Sequence, residues 1–110
     1  MGGRSAAASI PTHQVKAVFR RAAEQDVEDA VRWYERQGAG LGLEFVDAVA
    51  ERLESIRANP DAYPVIMGET RRALLRRFPY GLFYLIEPDR IVVVACFHAR
   101  LNPRRWTGRK

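Results

Sequence analysis

In the first half of the chain apolar residues recur at helical spacing; in the second half they alternate or run together. Ahead of the first helical stretch, Val15, Ala17 and Phe19 alternate with Lys16, Val18 and Arg20, which predicts a short, partly amphipathic strand. Over residues 22–37, Val27, Ala30, Val31 and Tyr34 fall on one stripe, and Glu24, Glu28, Arg32 and Glu35 lie away from it. Gly38-Ala39-Gly40 ends this helix, with Gly38 expected in the left-handed C-terminal position. A second helix is predicted over residues 41–58, with Leu41, Phe45, Val49, Leu53 and Ile56 inward and Ala48 beside them. Asn59-Pro60 stops it, because the residue before a proline is pushed out of the helical region. Two helices joined by a short glycine turn make an antiparallel hairpin.

Residues 61–70 read as a loop containing Tyr63-Pro64 and Gly68. Three strands are predicted after it, over residues 71–78, 82–87 and 90–97. Pro79-Tyr80-Gly81 separates the first two and Pro88-Asp89 makes a tight hairpin between the last two. The last strand, Ile91-Val92-Val93-Val94-Ala95-Cys96-Phe97, is nearly continuous in apolar residues and should be covered on both faces or lie centrally. The expected order is β-α-α-β-β-β. The helical hairpin packs on one face of a four-stranded antiparallel sheet in a two-layer α+β domain. Residues 1–13 are small and polar without periodicity and read as a flexible leader, leaving residues 14–110 as the folded domain.

Charge sharpens this division. From Arg71 to Lys110 there are ten Lys/Arg against two Asp/Glu, a local +8; residues 1–70 hold eight against eleven, or −3, within a net charge of +5. The basic part coincides with the predicted strands and carries aromatics, which predicts a cationic sheet face for an anionic partner. One cysteine excludes an internal disulfide, and Cys96 reads as a packed small hydrophobe. Two histidines and one cysteine do not suffice for a Cys/His zinc site, and neither metal nor cofactor is expected. No apolar run approaches membrane-spanning length, so the expectation is a cytoplasmic protein with soluble partners and no membrane role.

The candidate chemistry is cationic and aromatic. Guanidinium groups suit phosphate or carboxylate recognition, so Arg72, Arg76, Arg77, Arg100, Arg104 and Arg105, with Trp106, are the candidate target-binding residues. In a strand Arg72, Leu74 and Arg76 would share one face, and Ala73, Leu75 and Arg77 the other. The candidates for catalysis are Arg72, Arg77, Tyr80, His98 and Arg100. His98 could act as an acid or base near neutral pH, yet no carboxylate stands at a telling spacing from it. Tyr84, between Phe83 and Leu85, reads as structural.

Taken in order, these residues resemble the RelE/ParE superfamily of bacterial type II toxins. The resemblance is carried by Ala23-x-x-Asp26, Trp33-Tyr34-Glu35, Gly40-Leu41-Gly42 with Phe45, Asn59-Pro60-x-x-Tyr63-Pro64, and Arg71-Arg72 with Arg77-Phe78-Pro79-Tyr80. Tyr84 and His98-x-Arg100-x-x-Pro103-x-x-Trp106-x-x-Arg109 complete it over residues 14–109. The resemblance implies the fold deduced above and a growth-inhibiting toxin of the kind linked to plasmid stabilization. It also implies a cognate antitoxin that wraps the toxin as a hetero-oligomer. ParE-like members inhibit DNA gyrase; RelE-like members cut mRNA in the ribosome. Gly81 stands where RNase members commonly carry an arginine, and Ala99 and Arg100 follow His98. The expectation is therefore a ParE-like gyrase inhibitor rather than an enzyme, with a ribosome-dependent mRNA endonuclease as the alternative.

Overall fold

The computed structural model describes residues 15–100. Strand β1 (Lys16–Phe19) leads into helix α1 (Arg21–Gln37), and helix α2 (Leu41–Ala58) returns antiparallel to it. A short 3-10 turn (Pro60–Ala62) precedes β2 (Val65–Met67), β3 (Thr70–Leu74), β4 (Tyr80–Ile86) and β5 (Arg90–His98). The sheet order is β1-β5-β4-β3-β2. This is an α+β fold of two helices on a mixed five-stranded sheet. Among the described residues, no helix is long and apolar enough to cross a membrane.

Two expectations are corrected together. The sheet has five strands rather than four, because Val65–Met67, read as loop, pairs antiparallel with β3. One extra strand adds one reversal of chain direction. The final strand therefore runs parallel to β1, with Lys16 opposite Arg90 and Phe19 opposite Val93, instead of antiparallel. The other pairings are antiparallel as expected.

The helical hairpin forms as its spacing predicts. Ala23 and Ala30 are buried on α1, and Phe45, Ala48, Val49 and Ile56 on α2. The residue with left-handed backbone in the turn is Gly40 (φ 90°), not Gly38, which is extended at φ −174°. The N-terminus of α2 lacks a side-chain cap of its own. Glu35 supplies it from the preceding helix, accepting the N–H of Gly40 at 3.1 Å and of Gly42 at 2.9 Å. Those two backbone bonds, Gly40 first, hold the Glu35 carboxyl below the usual carboxylate range. Gly42 allows the approach: a Cβ there would meet Glu35 Oε1 at 3.0 Å and the Val31 carbonyl at 3.1 Å.

Strand β5 lies between β1 and β4, and residues Ile91 to Cys96 are all buried. Its sequence predicted this central place. The Pro88-Asp89 hairpin also forms, with the Glu87 N–H donating to the Arg90 carbonyl at 2.8 Å. Strand alternation divides the core in two. Leu82, Tyr84, Ile91, Val93 and Cys96 pack against the helices with Phe45 and Ile56. Phe83, Val92, Val94 and Ala95 form a second cluster with Val18, Ile66, Leu85 and Phe97 on the outer face.

That outer face corrects the expectation of an arginine-rich surface. Arg71 and Arg72 are consecutive, so they point to opposite sides. Arg71 sits opposite Tyr84 on the helical side and Arg72 opposite Phe83 on the outer side. The predicted strand 71–78 stops at Leu74, and Arg77 takes a left-handed backbone (φ 70°), which carries Arg76 and Arg77 out of the sheet.

Candidate functional site: the cleft between the first helix and the end of the sheet

Where β1 ends, β5 continues alone on that edge, and α1 crosses it. The small side chains Ala23 and Ala30 let the helix approach closely. Asp26 reaches in and accepts the Cys96 backbone N–H at 3.0 Å, beyond the last β1 pairing at Val93. A carboxylate thus takes the place of the next strand. Further along α1, Asp29, Trp33 and Tyr34 face Pro79, Tyr80 and His98 across a cleft of about 590 Å³. Asp29 is held by Gln25 at 2.9 Å and Arg32 at 3.1 Å, while Trp33 is 48% exposed.

The cleft wall is aromatic. Tyr34 stacks on Phe45 at 5.4 Å between ring centroids and meets Phe78 edge-on at 4.9 Å. Tyr80 lies edge-on to Phe45 at 5.1 Å and to His98 at 5.5 Å. Burial, reinforced by Tyr34 and Cys96, pushes the Tyr80 phenol above its ordinary value. The Cys96 thiol, buried and close to Asp26, is pushed up to about 12, so it is an inert packed side chain as expected. His98 is exposed, and its Nδ1 accepts the Arg100 N–H at 3.1 Å.

The structure brings Tyr80 and His98 together but leaves the candidate arginines dispersed. Arg77 extends to Glu44 of α2 at 4.0 Å. Arg72 lies on the outer face, its Nε buried without a hydrogen-bond partner among the described residues. Arg76 and Arg100 are exposed. Among the described residues, the ring of His98 and the hydroxyl of Tyr80 have no hydrogen bond to a guanidinium group. Arg104, Arg105 and Trp106 lie outside the described residues, as does the proposed leader.

Several residues of the ordered motif turn out to fasten the scaffold. Arg71 donates to the Tyr63 carbonyl at 2.6 Å and lies 3.6 Å from Asp61. Tyr84 donates to the Pro60 carbonyl at 2.6 Å, and its buried phenol is pushed up to about 12. Its structural reading holds. Arg52 donates to the Leu74 carbonyl at 2.7 Å and to the Tyr63 hydroxyl at 2.9 Å. Sequence reasoning did not foresee Arg52, Asp26 or Glu35 in these roles. Only Asp26 and Glu35 had a signal, their place in the recurring motif.

A family model describing the ParE toxin of the type II toxin–antitoxin system parDE matches residues 17–103. The chain belongs to the ParE toxin family. Nine chains of solved structure also match. One, from the chromosomal ParDE toxin–antitoxin system of P. aeruginosa, is 17% identical, and the match covers 78% of this chain and 97% of that one. Its TM-score of 0.69 shows a shared fold. The comparison with curated proteins finds no match. Within the ParE framework, Trp33-Tyr34-Glu35 builds the cleft wall and the helix cap, and Tyr80 and His98 close the far side.

Proposed function

We propose that this ParE-family protein inhibits DNA gyrase and is neutralised by a cognate antitoxin. The observation that carries the reading is the open acid/base set: among the described residues, His98 and Tyr80 stand side by side without a guanidinium group bonded to either. RNA cleavage needs activation of a 2′-hydroxyl together with stabilisation of developing phosphate charge. A protein that acts by binding needs neither. The family match supports the toxin class, and the antitoxin partner follows from it. The antitoxin segment would fold on contact, with the cleft around Trp33 and Tyr34 suited to its apolar side chains. In the cytoplasm the outcome would be growth arrest when antitoxin is lost, the basis of plasmid stabilization.

Induction in cells, scored for DNA damage and for translation arrest, tests the reading. DNA damage with continued translation is the expected result. Immediate translation arrest with cuts at codon-spaced positions, mapped by primer extension, would establish the mRNA endonuclease alternative instead. That alternative has one observation in its favour, the exposed ring of His98 beside Tyr80.

A further inference from the structure

We propose that the groove between the two helices, on their solvent side, seats a basic amphipathic helix of the cognate antitoxin. At the β1 end of this groove, Phe19, Glu24, Val27, Glu28 and Val49 line a hollow of about 380 Å³. It shares no residue with the cleft of Trp33 and Tyr80. Val46 and Leu53 lie one turn to either side of Val49, and Leu43 one turn before Val46, so the apolar flank of α2 continues past the hollow. From Leu43 to Leu53 this flank runs about 15 Å, roughly three turns of a docked helix. Leu43 is 67% exposed and Val46 42%. A single exposed aliphatic residue needs no explanation, but these two extend an apolar floor that is already hollow.

Charge selects the occupant. Residues 21–58 hold nine Asp/Glu against five Lys/Arg, a local −4 in a chain of +5. Glu24 and Glu28 are exposed on the α1 rim, and Asp47 and Glu51 are exposed on α2. Among the described residues these four form no ion pair, whereas Glu44 and Glu54 are met by Arg77 and Arg57. Arg57, one turn beyond Leu53, donates to the Val15 carbonyl at 2.8 Å and to Glu54 at 2.7 Å. The other cations of the hairpin stand at the two ends of α1 (Arg21 and Arg36), on Asp29 (Arg32) or against Tyr63 (Arg52). A helix with aliphatic side chains on one face and Lys or Arg along its edges satisfies the floor and both rims together. An acidic segment would meet like charges on either side. The inference rests on the antitoxin partnership proposed above and deepens it, adding a second contact surface and the sign of the charge that fits it.

Isothermal titration of the full chain with the cognate antitoxin tests the groove. Leu43→Ser should weaken binding about tenfold or more, as loss of an apolar anchor does. That side chain is largely exposed, so the variant keeps its fold should Val46→Ser fail to fold. Glu24→Gln combined with Glu28→Gln should weaken binding about two- to tenfold at low salt, and the difference should shrink at high salt. Wild-type affinity in Leu43→Ser or in the glutamine variant overturns the groove and leaves the antitoxin partnership intact. Tighter binding by the glutamine variant also overturns it, because the seated segment would then be acidic. An antitoxin that does not bind the wild type at all removes the partnership itself, and the groove with it. Self-association of the wild type that Leu43→Ser abolishes assigns the groove to a second copy of the chain and overturns the proposal.

Discussion

Replacing Asp26 by alanine should destabilise the domain far more than an exposed helix position would suggest. The Oδ2 atom accepts the Cys96 N–H at 3.0 Å, on a strand residue that is 1% exposed and beyond the reach of β1. Removing the carboxylate leaves that buried donor without its acceptor. A hydrogen bond to a charged group contributes about 1.5–3 kcal/mol, and an orphaned buried donor costs about 1–3 kcal/mol. These figures describe one event and do not add, so Asp26→Ala should cost about 2–3 kcal/mol. For a domain of this size that corresponds to a fall in Tm of roughly 10–20 °C. Asp26→Asn keeps an oxygen acceptor and should lose about 1 kcal/mol. Urea and thermal denaturation followed by circular dichroism would give both values. Amide hydrogen exchange adds a local readout, because the Cys96 amide should lose more protection than the amides of β4. A change within about 0.5 kcal/mol for Asp26→Ala, with unaltered Cys96 exchange, would refute the reasoning.

Three further outcomes follow from other contacts. Glu35 has its carboxyl pKa lowered in the folded state, so its contribution is present above the unfolded carboxylate value and fades as pH falls through the folded one. Urea midpoints of wild type and Glu35→Gln should therefore differ at neutral pH and converge in acid; a constant gap across pH would contradict the cap. Gly42→Ala should destabilise by about 1–3 kcal/mol despite alanine's better helix propensity, since the Val31 carbonyl cannot move aside; a stabilised variant in thermal melts would count against that packing. The buried Cys96 thiol, with its pKa up at about 12, should resist thiol reagents at pH 8 until the chain unfolds; rapid labelling of native protein would show the site to be open.

The helical hairpin was legible because its stripes are long and its ends are marked by Gly38-Ala39-Gly40 and Asn59-Pro60. The central place of β5 was legible from its unbroken apolar run. Strand β2 was hidden because Val65–Met67 is three residues long, too short for alternation to register, and it lies between Pro64 and Gly68. That omission reversed the expected direction of the last strand relative to β1. The arginines misled for a related reason. Their sidedness depends on where β3 stops, and the left-handed Arg77 that follows the end at Leu74 has no glycine to announce it. Tyr80 and His98 were identified as candidates, and they do line one cleft. The role of Asp26 depends on β1 ending before Cys96, a tertiary fact that no local pattern carries.

The central proposal is that this ParE-family chain acts by binding its target rather than by cleaving RNA. A DNA gyrase supercoiling assay with purified protein tests it most directly. The account predicts that supercoiling falls as toxin is titrated, that His98→Ala inhibits as well as wild type, and that the cognate antitoxin restores activity. Supercoiling that continues undiminished at saturating toxin would contradict it.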